Sequence, residues 1–301
     1  MTDPIFSDVR ISHPDRVIFP DCGVTKGDLA EYYNALSEAI VAEGADRPLS
    51  LLRLPDGMKG ERFFQRHPGP GFPKSMHEIQ LREASGKVDD YIYARSIEGF
   101  LAAVQFGTVE FHIWGAHVDR IERPDRMVFD LDPDEALPFT TVIDAALRLR
   151  GVLEELGLST QPMLSGGKGI HLTLALRRTV SWDSVSDFAK GVASLLALKA
   201  PDRYTTEISK AKRKGRIFID WLRNDRSATA VMPFSVRARP GAPIAAPVTW
   251  DELRGFSAAN AIGIPEALER YRKGHAQPPA QTLSKTIISA LDERLNAVAR
   301  A

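Results

Sequence analysis

The chain has 301 residues, 44% of them apolar and 26% charged, with 39 lysines and arginines against 39 acidic residues. That length supports a sizeable core in one large domain or two small ones, and the balanced charge removes a global positive field as an argument for a polyanionic partner. The single cysteine, Cys22, excludes an internal disulfide and a cysteine-based zinc site, and no apolar run approaches the ~18 residues that a membrane span needs.

The first 21 residues carry Pro4, Pro14, Pro20 and several charges in place of the apolar stretch of a secretory signal, so a cytoplasmic location is expected. Thr25 and Asp28 resemble a capping box, and Leu29, Tyr32, Tyr33, Leu36 and Ile40 recur at helical spacing, which predicts a first helix reaching Gly44. Strands are predicted over residues 49–54, 62–66, 91–94 and 109–114, with a Pro/Gly-rich loop over 67–73 placed to contact a ligand. The second half reads more regularly: a buried strand over 127–131, an amphipathic helix over 140–156 ended by Gly157, and a strand over 160–164. A glycine-rich turn, a strand over 170–176, a helix from the Ser181 cap to about Lys199 and a strand over 216–222 follow. Thr249 and Glu252 form a second capping box, and Leu283, Ile287, Leu291, Leu295 and Val298 make one stripe of a last helix. Without repeats, low-complexity tracts or a long linker, the chain reads as α+β with a strand-helix-strand core in its second half.

The chemistry concentrates at Phe129-Asp130-Leu131-Asp132-Pro133. Side chains alternate across a strand, so Asp130 and Asp132 share one face while Phe129 and Leu131 point to the core. Adjacent carboxylates repel, and a cation between them relieves the repulsion; hard oxygen ligands select Mg²⁺ or Mn²⁺. The plainer alternative is a strand ending in a polar turn. A calcium loop is excluded, because Glu135 stands where glycine is required and Thr141 where a bidentate glutamate is required. Asp220, inside Ile217-Phe218-Ile219-Asp220-Trp221, must be paired or ligated, either by a neighbouring arginine or as the third carboxylate of a two-metal site.

Ser165-Gly166-Gly167-Lys168-Gly169-Ile170-His171 matches neither a P-loop nor a dinucleotide fingerprint. It reads as a turn whose glycine amides, with Ser165, Lys168 and His171, make an anion nest for a triphosphate; the alternative is a plain hairpin. Arg237 and Arg239 are predicted to alternate onto one face of a strand, in a geometry suited to phosphate. The basic run Lys210, Lys212, Arg213, Lys214 and Arg216 reads as a solvated turn unless it lies beside a phosphate site.

These elements, in this order, resemble the polymerase domain of bacterial ATP-dependent DNA ligase D, in the archaeo-eukaryotic primase superfamily. The resemblance runs from Asp15-Arg16-Val17-Ile18-Phe19-Pro20 through Phe63-Phe64-Gln65-Arg66-His67, the Asp-Leu-Asp-Pro strand and Ser165–His171 to Arg237-Ala238-Arg239-Pro240-Gly241-Ala242-Pro243. It implies an α+β primase-polymerase fold with mixed sheets and an RRM-like catalytic core flanked by helices. The chain would be a single domain over 1–301, with an N-terminal module over 1–115, the core over 116–280 and a C-terminal helix over 281–301.

It implies also that Asp130, Asp132 and Asp220 hold two Mn²⁺ or Mg²⁺ ions. Ser165, Gly167, Lys168, Gly169, His171, Arg237 and Arg53 would bind the NTP or dNTP. Phe63, Phe64 and Arg66 would meet the template, while Arg16 and Lys26 grip the 5′-phosphate of a gap or end. Family members usually carry lysine where Arg16 and Arg66 stand and glycine where Asp134 stands. The implied activity is template-directed nucleotide addition at gaps and double-strand breaks in end joining, with Ku and a DNA ligase as partners and no membrane association. A metal-dependent nuclease or phosphohydrolase, and a non-catalytic DNA-end-binding module, are the alternatives.

Overall fold

The computed structural model describes residues 3–83, 85–274 and 279–300. The chain forms two compact units: one comprises Met1–Asp119, Thr229–Ala246 and Ile262–His275, the other Arg120–Ala228, Pro247–Ala261 and Ala276–Ala301. Among the described residues no helix is long and apolar enough to cross a membrane.

The first unit is built on a four-stranded antiparallel sheet ordered Ala230–Val231, Thr108–Ile113, Leu49–Arg53, Phe63–Gln65. The helix predicted to reach Gly44 is two helices, Lys26–Ala35 and Ser37–Gly44. Leu36 ends the first with φ −102° and ψ 19°, while its own carbonyl accepts from Ile40. Because Leu36 and Ile40 are both fully buried, the apolar period runs straight through the break, and periodicity alone could not reveal it. Thr25 makes the predicted capping box with Asp28. The strand predicted over 91–94 is half of a hairpin, His77–Arg82 with Val88–Tyr93, whose first strand is mostly polar and gave little signal. Helix Ile97–Gln105 was also missed, because its buried run from Gly99 to Val104 has no polar face to set a period.

The second unit carries strand Arg126–Pro133, helix Phe139–Glu155, strands Gln161–Leu164 and Ile170–Ala175, helix Trp182–Lys199 and strand Ile217–Asp220. This β-α-β-β-α-β order, with Ile217–Asp220 and Ile170–Ala175 flanking Arg126–Pro133 and Gln161–Leu164 outside, is the antiparallel RRM-like arrangement. Tyr204–Thr205 extends one edge in parallel, and the two-residue strand Ala246–Pro247 closes the other. Met127, Phe129 and Leu131 are fully buried, as are Val142, Ala145, Leu149 and Leu153 of one helix and Val185, Ala189 and Val192 of the other. Helix Lys285–Ala299 packs on helix Trp182–Lys199, with Leu291 against Gly191, where a Cβ would lie 2.9 Å from the leucine.

Candidate functional site

Register decides what lies beside the Asp-x-Asp strand. In the antiparallel ladders Asp130 is directly opposite His171 on one side and Asp220 on the other. Directly opposed residues share a face, so Asp130, Asp132, Asp220 and His171 converge on the face opposite Phe129 and Leu131. His171 is buried, with Nε2 3.3 Å from Asp130 Oδ1 and Nδ1 enclosed without a partner.

Two arginines answer this acidity. Arg223 reaches Asp220 through Nε at 3.1 Å and Asp130 through a terminal nitrogen at 3.5 Å. Arg213 donates to Asp132 at 3.0 Å while its guanidinium lies 3.7 Å from the centre of the Phe218 ring. The basic run is therefore more than a solvated turn. Burial raises the pKa of Asp132, and the Asp130 charge raises it further against the opposing arginines; burial raises that of Asp220 too, offset by Arg223. Three carboxylates on one sheet face, ion-paired to two arginines, supply the hard-oxygen donors that divalent cations of the Mg²⁺ or Mn²⁺ type take. Asn224, also missed in the sequence, supports the strand by bonding both the N–H and the carbonyl of Val128.

The glycine-rich turn lies against this strand, with a different internal order from the predicted nest. Gly166 donates to the Ala259 carbonyl, and Gly167 and Gly169 both donate to Ser165 Oγ, at 3.2 and 3.3 Å. Ser165 thus serves as acceptor for its own turn, and these three amides are not exposed donors. Lys168 forms an ion pair with Glu135. A Cβ on Gly169 would lie 2.1 Å from the Leu131 carbonyl oxygen, so only glycine lets the turn approach the acidic strand this closely.

In the first unit, Arg237 and Arg239 do not share a strand face. The chain turns there, with Arg237 N–H donating to Pro243, Arg239 N–H to Arg237, and Gly241 and Ala242 at positive φ. Arg239 is exposed, whereas Arg237 lies 3.2 Å from the carboxylate of buried Glu110. The same carboxylate meets His112 Nε2 at 2.9 Å, and the His112 ring lies 5.5 Å from that of Phe64. Phe63 and Phe64 are both exposed, at 44% and 64%; alternation puts only Phe64 on the Glu110–His112 face. Arg66 is exposed. Arg53, expected at the nucleotide, is instead committed locally: it donates twice to the Phe106 carbonyl and once to Gln65, and lies 3.7 Å over the Phe106 ring. It thereby caps the C-terminus of helix Ile97–Gln105.

Arg16 and Lys26 line a cavity of about 140 Å³ walled by Ile18, Leu29, Leu54 and Val109. Lys26 is buried and donates to the Ser12 carbonyl at 3.0 Å. Burial and the Arg16 charge bring its pKa down to about 8. The first amides of the helix are committed within the fold, since the N–H groups of Lys26, Gly27 and Asp28 bond Arg16, Pro14 and Thr25. Elsewhere in this unit, ligating atoms of His67, Glu83 and Asp89 lie within 4.8 Å of one another. Lys87 pairs with Asp89 at 2.7 Å and the Tyr91 hydroxyl donates to Glu83, so those charges already have partners.

Residues 25–278 match the family model described as LigD, primase-polymerase domain. The multifunctional non-homologous end joining protein LigD of Pseudomonas aeruginosa is 42% identical over 257 residues, covering 84% of this chain and 30% of that protein. Its counterpart in Mycolicibacterium smegmatis is 32% identical over 247 residues, covering 81% and 32%. The chain thus spans about a third of the length of these relatives. The solved polymerase domain from Mycobacterium tuberculosis ligase D in complex with DNA matches with a TM-score of 0.81 at 29% identity, over 88% of this chain and 95% of that one.

Proposed function

The chain belongs to the LigD primase-polymerase domain family, a nucleotidyltransferase family, and from that premise we propose that it adds nucleotides under template direction to DNA 3′ ends at gaps and double-strand breaks in bacterial end joining. The observation that carries the reading is the convergence of Asp130, Asp132 and Asp220 through ladder register on one face of the RRM-like sheet. Divalent cations held there would activate the primer 3′-hydroxyl and neutralise departing pyrophosphate. The protein's own groups supply the rest. Asp130, Asp132 and Asp220 hold the charge in place, and His171 orients Asp130 from the neighbouring strand.

Ser165 keeps the glycine turn closed over the acidic strand, and Lys168 and Arg237 present charge to the triphosphate of an incoming NTP or dNTP. Phe64 offers an exposed ring to a template base, and Arg16 with Lys26 takes the 5′-phosphate of the downstream strand. In this reading residues 1–301 act as a single catalytic domain that prefers Mn²⁺ and works with Ku and a DNA ligase. Primer extension on 5′-phosphorylated gapped DNA, with Mn²⁺ or Mg²⁺ and with rNTP or dNTP, tests it. Templated extension is expected; shortening of the primer without extension would favour a nuclease, and binding without either would favour an end-binding module.

A further inference from the structure

Glu110 has a degree of organisation that the proposed reaction leaves unexplained. It sits in the middle of strand Thr108–Ile113 with a side chain only 5% exposed. A buried lone carboxylate is costly, so it must be matched by donors. Glu110 has two, the Ala238 amide to Oε1 at 2.6 Å and His112 Nε2 to Oε2 at 2.9 Å, and an ion pair with Arg237, whose Nε lies 3.2 Å from Oε2 without the alignment of a hydrogen bond.

Each partner belongs to a different part of the same neighbourhood. His112 is two residues along the strand on the same face, Ala238 is the backbone of the arginine turn, and Arg237 is its charged side chain. The turn is stitched to that strand nearby, since Phe111 N–H donates to Ser235 Oγ and Val236 N–H to the Tyr33 hydroxyl, which in turn donates to the Val109 carbonyl. Burial alone would raise the Glu110 pKa, but the His112 hydrogen bond, the Arg237 charge and the Ala238 amide together bring it down to about 2. Glu110 is thus an anion at working pH. An ionised carboxylate only accepts hydrogen bonds, so it requires the proton of His112 on Nε2.

We infer that Glu110 is a positioning residue for the incoming nucleotide, acting through Arg237. One oxygen fixes the backbone of the arginine turn while the other, itself held by the His112 ring, meets the Arg237 guanidinium, so that group is held before a triphosphate arrives. The inference rests on the reading of Arg237 as a nucleotide contact. Glu110 touches neither nucleotide nor DNA in this assignment.

The test measures nucleotide affinity, DNA affinity and Tm for Glu110→Gln, Arg237→Ala and the double variant. The glutamine keeps the volume but loses the charge and turns an NH₂ towards donors. Loss of a charge-assisted hydrogen bond should weaken nucleotide binding about tenfold or more in Glu110→Gln while DNA affinity stays unchanged. The double variant should be no weaker than Arg237→Ala alone, since Glu110 then has nothing left to position. If Arg237→Ala itself leaves nucleotide affinity intact, the nucleotide reading of Arg237 fails and the inference with it. If Arg237→Ala weakens binding but Glu110→Gln does not, or the two effects simply add, the inference is overturned and the reading stands. Should Glu110→Gln fail to fold, Glu110→Asp carries the test: it keeps the charge and shortens the reach, and unchanged nucleotide affinity in that variant overturns the inference.

Discussion

Asp130 and Asp220 stand directly opposite each other on adjacent antiparallel strands, and the guanidinium of Arg223 spans both carboxylates. In the proposed reading each aspartate is a metal ligand, and its removal leaves Arg223 facing a single carboxylate. Asp130→Ala and Asp220→Ala should each reduce nucleotide addition on the order of a thousandfold at saturating Mn²⁺, with DNA affinity largely kept. Thermal melting gives an independent readout, because an ion that binds only the native state raises Tm. Mn²⁺ should raise the Tm of the wild type and have little effect on either variant.

Gly169 is held against the Leu131 carbonyl, with room for hydrogen and no more. Gly169→Ala should cost about 1–3 kcal/mol through the displacement it forces. Because the turn must lift from the acidic strand, nucleotide affinity should fall too. Gly151 is the control: it lies within helix Phe139–Glu155, where an added Cβ meets nothing within 4 Å. Gly151→Ala should stabilise the protein by about 0.5–1 kcal/mol and leave nucleotide binding alone. Chemical denaturation of both variants checks the pair.

Lys26 titrates at about 8, below its ordinary 10.5, because burial and Arg16 disfavour its charge. Preference for a 5′-phosphorylated gap over an unphosphorylated one should therefore be full at pH 7 and decline as pH rises through 8, with Lys26→Ala losing both the preference and its pH dependence. Stability responds in the opposite sense. Between the folded value of about 8 and the unfolded 10.5 the unfolded chain holds more protons at this site, so its contribution to unfolding free energy rises with pH across that window. Binding of the two gaps measured across this range at constant salt checks the first statement.

Phe64 exposes 64% of its surface beside His112, and its neighbour Phe63 is exposed as well. A base stacked on it contributes ~1–3 kcal/mol, so Phe64→Ala should weaken DNA binding about tenfold. Tm should change little, because so little of the ring is packed. A large fall in Tm without loss of DNA affinity would place Phe64 in the fold instead.

Much of the site was legible in local sequence. Alternation put Asp130 and Asp132 on one face, the Thr25 and Thr249 capping boxes form as read, and the glycine-rich turn connects the strands it was assigned to. These features depend on residues within a few positions of each other. The reading of Arg237 and Arg239 as a strand pair failed because the chain already turns at Arg239, whose N–H bonds the Arg237 carbonyl and whose carbonyl accepts from Ala242, and Pro240-Gly241 is the local signal of that turn. The local partners of Arg53 were hidden for a different reason, since Phe106 lies 53 residues away.

By itself, then, the sequence determined the acidic strand, the helices that cover the opposite face of its sheet and the family to which the order of motifs belongs. The resemblance also implied that Asp220 meets the acidic strand, while tertiary structure alone decided its register there and the partners of Asp132 and Arg237. Asp220 joins Asp130, Arg213 joins Asp132 and Glu110 joins Arg237 across 90, 81 and 127 residues of chain. Such pairs follow from strand register and side-chain packing, which are set by burial of whole faces and leave no trace in the local pattern.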